Sequence, residues 1–175
     1  MSKIKHLSEL PHRILVVLSQ IFPNNATGCK LRGFVYKYKL KSAGKNLQIA
    51  TGVIIDNPKN LIVGDNVYIG HNSWINAIGE GIEFGDEVML GPSVHIVSNN
   101  HGYDYERKSS RFAPGCSKKI CIGSGVWVGS GAFIGNGVQV GVGSTIGANS
   151  TVVKSLPEAC VAVGSPAKVI KHHEK

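Results

Sequence analysis

Residues 122–157 read "IGSGVW VGSGAF IGNGVQ VGVGST IGANST VVKSLP", six hexads without a slip. The first position is always aliphatic: Ile122, Val128, Ile134, Val140, Ile146 and Val152. The second is Gly in five of the six. The fourth is Gly125, Gly131, Gly137, Gly143 and Asn149 in the first five hexads. Gly and Asn accept left-handed backbone angles, so a tight turn is expected to recur there. The fifth is small: Val126, Ala132, Val138, Ser144 and Ser150. Six residues are too few for a helix and its turn, but they suit one short strand and one corner. Strands joined that way coil into a parallel β-helix in which each coil pairs only with its neighbours. With three hexads per coil, residues eighteen apart stack, such as Ile122 on Val140.

Outward from this block the pattern loosens but persists in "VGDNVY" (63–68), "IGHNSW" (69–74), "FGDEVM" (84–89) and "LGPSVH" (90–95). Residues 46–167, less one interruption, give about six coils, a stack ~28 Å tall at ~4.8 Å per coil. The interruption follows "SNNHGYD" (98–104). A hexad starting at Ile96 runs "IVSNNH", and then residues 102–121, "GYDYERKSSRFAPGCSKKIC", intervene before Ile122. A β-helix can extrude a loop at a corner without disturbing its stack, and loops so placed often carry function. His101 stands at the root of this loop, tied to a strand yet outside the apolar core. A general base must be both fixed and accessible in this way. His95 lies one hexad earlier and either flanks the site or faces solvent, and His71 falls at a corner.

The chain has 175 residues, room for one domain with a short appendage. Its four cysteines (Cys29, Cys116, Cys121 and Cys160) show no CxxC spacing, and no secretory signal peptide is visible. They read as reduced thiols of a cytoplasmic protein. The run "ILVVL" (14–18) is far too short to span a bilayer. Charge is unevenly placed. Residues 1–45 hold nine Lys/Arg and one acid, a net of +8, whereas residues 46–175 hold ten of each sign. The division is therefore a basic appendage at 1–45, a β-helix at 46–171 and a tail at 172–175. In the appendage, Ser8 is a candidate cap for a helix from Glu9 with Pro11 in its first turn. Leu10, Ile14, Val17, Leu18 and Ile21 share one face, and "FPNN" (22–25) ends the helix. "FVYKYKLK" (34–41) alternates as a strand does, although a second helix before the first coil stays open. "GVGSTIG" (141–147) has the wrong spacing for a dinucleotide loop, and no GK[ST] exists.

The repeat, with "VWVGSGAFI…IGANSTVVKSLPEACVAVGSPAKVI" over roughly residues 45–171, resembles the hexapeptide-repeat acyltransferase superfamily. Within it the sequence is similar to the sugar and polysaccharide O-acetyltransferases, the maltose and galactoside enzymes among them. The resemblance implies a mainly β fold, a left-handed parallel β-helix. General rules favour right-handed crossovers, so the left hand rests on the resemblance alone. It implies acetyl-CoA as acyl donor, a sugar hydroxyl as acceptor in surface polysaccharide synthesis, and a homotrimer with its active sites between neighbouring prisms. His101 matches the histidine that deprotonates the acceptor, although Gly102 follows it where relatives often have Pro. Asn76, in "WIN" (74–76), matches a residue that orients the acceptor or holds the oxyanion. Ser130 and Trp127 match positions near the thioester and along the pantetheine channel. Ala148, Val153 and Lys154 match contacts to the pantetheine arm, and Lys168 and Lys171 match basic positions near the CoA phosphates. Two to three coils, ~10–15 Å, are expected between His101 and Lys168.

The same fold leaves other functions open. They are N-acetylation of a nucleotide-linked amino sugar, acetylation of serine or an antibiotic, and a zinc hydratase using His71, His95 and His101. No metal and no nucleic-acid partner is expected. The basic segment, with the apolar face of residues 10–21, suits reversible contact with the anionic inner face of the cytoplasmic membrane.

Overall fold

The computed structural model describes the backbone of residues 2–174, with side chains from Pro11 onward. Two helices, α1 (Ser2–Ser19) and α2 (Ala26–Lys37), precede fifteen short strands wound as coils. The first coil is β1 (Ser42–Ala43), β2 (Gln48–Ile49) and β3 (Ile54–Asp56). The second is β4 (Leu61–Val63), β5 (Tyr68–Ile69) and β6 (Trp74–Asn76). The third is β7 (Ile82–Phe84), β8 (Met89–Leu90) and β9 (His95–Val97). A ribbon of β10 (Asn99–Asn100) and β11 (Cys116–Ser117) interrupts here. The fourth coil is β12 (Ile120–Ile122), β13 (Trp127–Val128) and β14 (Phe133–Ile134). The fifth is β15 (Gln139–Val140), β16 (Thr145–Ile146) and β17 (Thr151–Val152). Leu156 and β18 (Cys160–Val163) begin a sixth, and β19 (Lys168–His172) then runs back antiparallel to β18. The stack thus has five complete coils and part of a sixth, one fewer whole coil than the hexads suggest, because the chain reverses after Val163.

The first, second and third strands of successive coils form three parallel sheets, here faces A, B and C of a prism. Register follows the hexads. Ile122 sits on Val140, Trp127 on Thr145 and Phe133 on Thr151, each eighteen residues apart. The aliphatic first positions are all buried, and so are the small fifth positions. Gly125, Gly131, Gly137, Gly143 and Asn149 all have φ between 56° and 76°, the left-handed corner required of the fourth position. In the earlier coils Asn66, Asn72, Glu87 and Ser93 hold the same angle without glycine.

The appendage departs from expectation. Helix α1 starts at Ser2, not Glu9, which puts Pro11 in its interior; the proposed side-chain cap at Ser8, and Leu10, lie outside the residues whose side chains are described. Residues 34–37 belong to α2 rather than to a strand. Asn25 caps this helix by accepting the Gly28 N–H at 2.9 Å. Its buried face is Cys29, Arg32, Gly33 and Tyr36. That is a helical period hidden from a hydrophobicity reading because two of its members are Arg and Gly. A side chain at Gly33 would run into the Leu47 carbonyl, so α2 lies directly on the first coil. Arg32 is fully buried and clamps the junction. Its Nε donates to Ile49 O (2.8 Å), and its terminal nitrogens to Phe22 O (2.9 Å) and Asn24 Oδ1 (3.1 Å). The Tyr36 hydroxyl donates to Val53 O at 2.8 Å, and burial pushes that phenol up to about 12. All four cysteines are free thiols.

Candidate functional site

The loop leaves the prism at the corner between faces C and A, after β9, and the coil resumes at Ile120. Its root is built before the histidine. Ser98 is buried, and its hydroxyl donates to Asn76 O (3.1 Å) and Ile78 O (2.8 Å). Asn99 Oδ1 accepts from Asn76 Nδ2 at 3.5 Å, and Asn57 Nδ2 donates to Asn76 Oδ1 at 3.4 Å. A ladder of three asparagines therefore climbs this edge from the first coil to the third and ends two residues short of His101. The returning strand is held by Asn136, whose Oδ1 accepts the Lys118 N–H at 2.6 Å. His101 itself is exposed and has no hydrogen-bond partner among the described residues. Its neighbour Gly102 faces the Pro114 carbonyl so closely that a Cβ would collide with it. Close approach of the two loop strands thus explains the glycine. The loop tip turns on Asp104, whose carboxylate accepts the N–H groups of Glu106 and Arg107, both at 3.0 Å.

The other predicted residues fall elsewhere on the prism. Asn76 is brought to the loop root and buried. Trp127 projects from face B, half exposed. Ser130 and Ala148 occupy the same position of successive coils at the corner between faces B and C, both exposed. Val153 and Lys154 lie at the corner between faces C and A, two coils above the loop, and are exposed. Lys168 and Lys171 are exposed on β19. In face B, β19 stands four strand steps beyond β8 of the third coil, ~19 Å at the strand spacing. That exceeds the two to three coils expected, because β19 adds an extra strand past the end of the coil. The three histidines considered as metal ligands are also dispersed. His71 is at a B/C corner, His95 packs edge-on against Trp74 on face C at 6.1 Å, and His101 is at the C/A corner. Among the described residues no cluster of three His, Cys, Asp or Glu could hold a metal ion.

The galactoside O-acetyltransferase of Escherichia coli K12 is 33% identical over 141 residues, 80% of this chain and 68% of that protein. The chain belongs to the hexapeptide-repeat acetyltransferases. A solved maltose O-acetyltransferase from Clostridium difficile has the same fold, with a TM-score of 0.78 and 30% identity over 95% of this chain and 87% of that one. A galactoside acetyltransferase solved with coenzyme A matches at a TM-score of 0.79 and 27% identity, over 94% of this chain and 80% of that one. The left hand of the coil follows with the fold of these acetyltransferases. No protein-family profile matches the chain.

For an acetyltransferase, the arrangement puts a solvent-facing imidazole on one edge and a track of small residues on the next. Reading the sequence missed the Asn57–Asn76–Asn99 ladder and the Ser98 latch. Their signal was an asparagine at the end of a face C strand or one or two residues past it in three successive coils, which a hexad reading treats as filler.

Proposed function

We propose that this acyltransferase moves the acetyl group of acetyl-CoA to a sugar hydroxyl during assembly of a surface polysaccharide. The observation that carries the reading is the division of functional groups between two edges of one prism. His101, supported by Asn76 and Asn99, sits at the C/A edge. Ser130 and Ala148 leave a smooth, exposed track at the B/C edge, with Trp127 beside it on face B. A donor with an extended arm and a phosphate-bearing end fits that track, with Lys168 and Lys171 at its basic end. Lysines there act as point charges rather than as a guanidinium fork. His101 takes the acceptor hydroxyl proton as that oxygen attacks the thioester carbonyl, and Asn76 holds the acceptor or the developing oxyanion. The thiol of CoA leaves with a proton.

Because the two edges point apart in one chain, the complete site needs a second copy. A homotrimer, with the C/A edge of one prism against the B/C edge of the next, supplies it. The basic residues 1–45 then act as an accessory to the catalytic unit at 46–171, with 172–175 as a tail. Helix α1 exposes Ile14, Leu15, Val17 and Leu18, and the turn that follows it exposes Ile21 and Phe22. That apolar arc beside a +8 segment suits a cytoplasmic enzyme resting reversibly on an anionic membrane. Among the described residues no helix is long and apolar enough to cross one. Changing Lys37, Lys41 and Ile21 together to Glu is expected to abolish co-sedimentation with phosphatidylglycerol vesicles.

The deciding experiment incubates the protein with acetyl-CoA and a panel of sugars, amino sugars included, while following free thiol. His101→Ala is expected to fold normally and lose ~10²–10⁴-fold in rate, the usual worth of a general base. Thiol release within tenfold of wild type would remove His101 from the mechanism. Changing Lys168 and Lys171 to Glu should raise KM for acetyl-CoA far more than KM for the acceptor.

A further inference from the structure

A cleft of about 970 Å³ opens between α1 and the first coil, at the foot of the edge that carries His101. It lies within the ~300–1,000 Å³ range of small-molecule sites. Its floor is apolar, formed by Val53, Ile54, Ile55 and Pro58, and its rim carries Arg13, Lys39 and Lys59. None of these three cations has an acidic partner among the described residues. The carboxylate in the cleft, Asp56, is engaged by the Trp74 indole N–H at 2.7 Å. Three unpaired cations around an apolar floor favour an anionic ligand with an apolar or aromatic portion. The cleft also contains Asn57, the lowest rung of the asparagine ladder that ends beside His101. Two coils separate them, ~10 Å at the strand spacing. The donor track occupies the upper coils, which leaves the lower ones to the acceptor.

We propose that this cleft holds the diphosphate of a glycosyl diphosphate acceptor, so that the sugar reaches up the asparagine ladder to His101. Arg13, Lys39 and Lys59 take the phosphate oxygens. The apolar floor takes the first part of the carrier, whether a nucleoside or a prenyl chain. A hexose with its anomeric diphosphate is comparable in length to the two-coil separation. The proposal rests on the acetyltransferase reading above and names the acceptor class that reading leaves open.

The test is binding without turnover, so it stays readable if the acetylation assay fails. Inorganic diphosphate, UDP-glucose and farnesyl diphosphate are titrated calorimetrically into the full-length protein saturated with CoA, which keeps the probes off the donor phosphate sites. At least one diphosphate is expected to bind, more weakly as salt rises. The triple variant R13Q/K39Q/K59Q should weaken it about tenfold or more, a loss of ~1.4 kcal/mol or greater. Lys59→Gln alone should weaken it by a smaller factor, and Lys108→Gln, a loop-tip cation outside the cleft, should leave it unchanged. Preference for UDP-glucose or for farnesyl diphosphate identifies the carrier. The proposal is overturned if no probe binds wild type, if the triple variant binds as tightly as wild type, or if Lys108→Gln loses as much.

Discussion

Arg32→Met probes how the appendage is fastened to the coil. The guanidinium is fully buried, and every hydrogen-bond acceptor around it is neutral: backbone carbonyls, the Asn24 amide and the Cys29 sulfur. Methionine fills most of the volume and makes none of these bonds. Three of them are 3.1 Å or shorter. Hydrogen bonds from a charged group are worth ~1.5–3 kcal/mol each, and a buried acceptor left unpaired costs ~1–3 kcal/mol. Phe22 and Pro23 are exposed, so their carbonyls can be rehydrated, whereas Ile49 is fully buried and its carbonyl cannot. Burying the charge had its own desolvation cost, which Met removes. The net expectation is a loss of ~3 kcal/mol. In a stack where each coil touches only its neighbours, the loss falls on α1, α2 and the first coil. Urea unfolding gives the magnitude, and amide hydrogen exchange gives the location. Exchange should accelerate in residues 13–37 while β12 to β17 stay protected. A loss below ~1 kcal/mol, or acceleration spread evenly through the fourth and fifth coils, would refute the clamp.

Three further predictions follow from single contacts. Tyr36 has its phenol raised from 10 to about 12 by burial, so the unfolded chain releases this proton first. The associated stability is complete below pH 10 and is lost as pH rises to 12, by ~3 kcal/mol at most. Tyr36→Phe should flatten this limb of a pH–stability curve. Gly102→Ala should push Pro114 away and displace His101, lowering kcat by ~10-fold or more with little change in melting temperature. An unaltered kcat would detach the loop geometry from catalysis. Gly131→Ala forces a Cβ onto a corner with φ of 71° against the Asn149 side chain, and should destabilise by ~1–2 kcal/mol in thermal unfolding.

The coil was legible because its physics is local and repeated. An aliphatic residue such as Ile134 must point inward and Gly137 must turn, and each coil restates both demands. The appendage was harder because its period is disguised. Arg32 and Gly33 belong to the buried face of α2 for reasons of hydrogen bonding and close approach, which no count of apolar residues detects. At the candidate site, His101 stands out in the sequence because the hexad rhythm breaks there. The asparagine ladder did not, because Asn57, Asn76 and Asn99 are 19 and 23 residues apart, spacings set by irregular corners rather than by the eighteen-residue repeat. The cleft under α1 depends on how the helix sits on the first coil, and charge composition indicated only that something basic would be there.

The reversal at β19 has a consequence for solubility. A stack of identical parallel coils is a template for itself, since its last strand offers the backbone groups that a further coil would use. Here that offer is altered on face B, where the final strand runs in the opposite direction and itself carries Lys168, Lys171 and His172. At the other end the helices lie against the first coil. Both ends of the column are thus blunted against end-to-end growth, by polarity and charge above and by a helical lid below. The strand proposed to place two lysines for the donor thus also works against end-to-end stacking of the column.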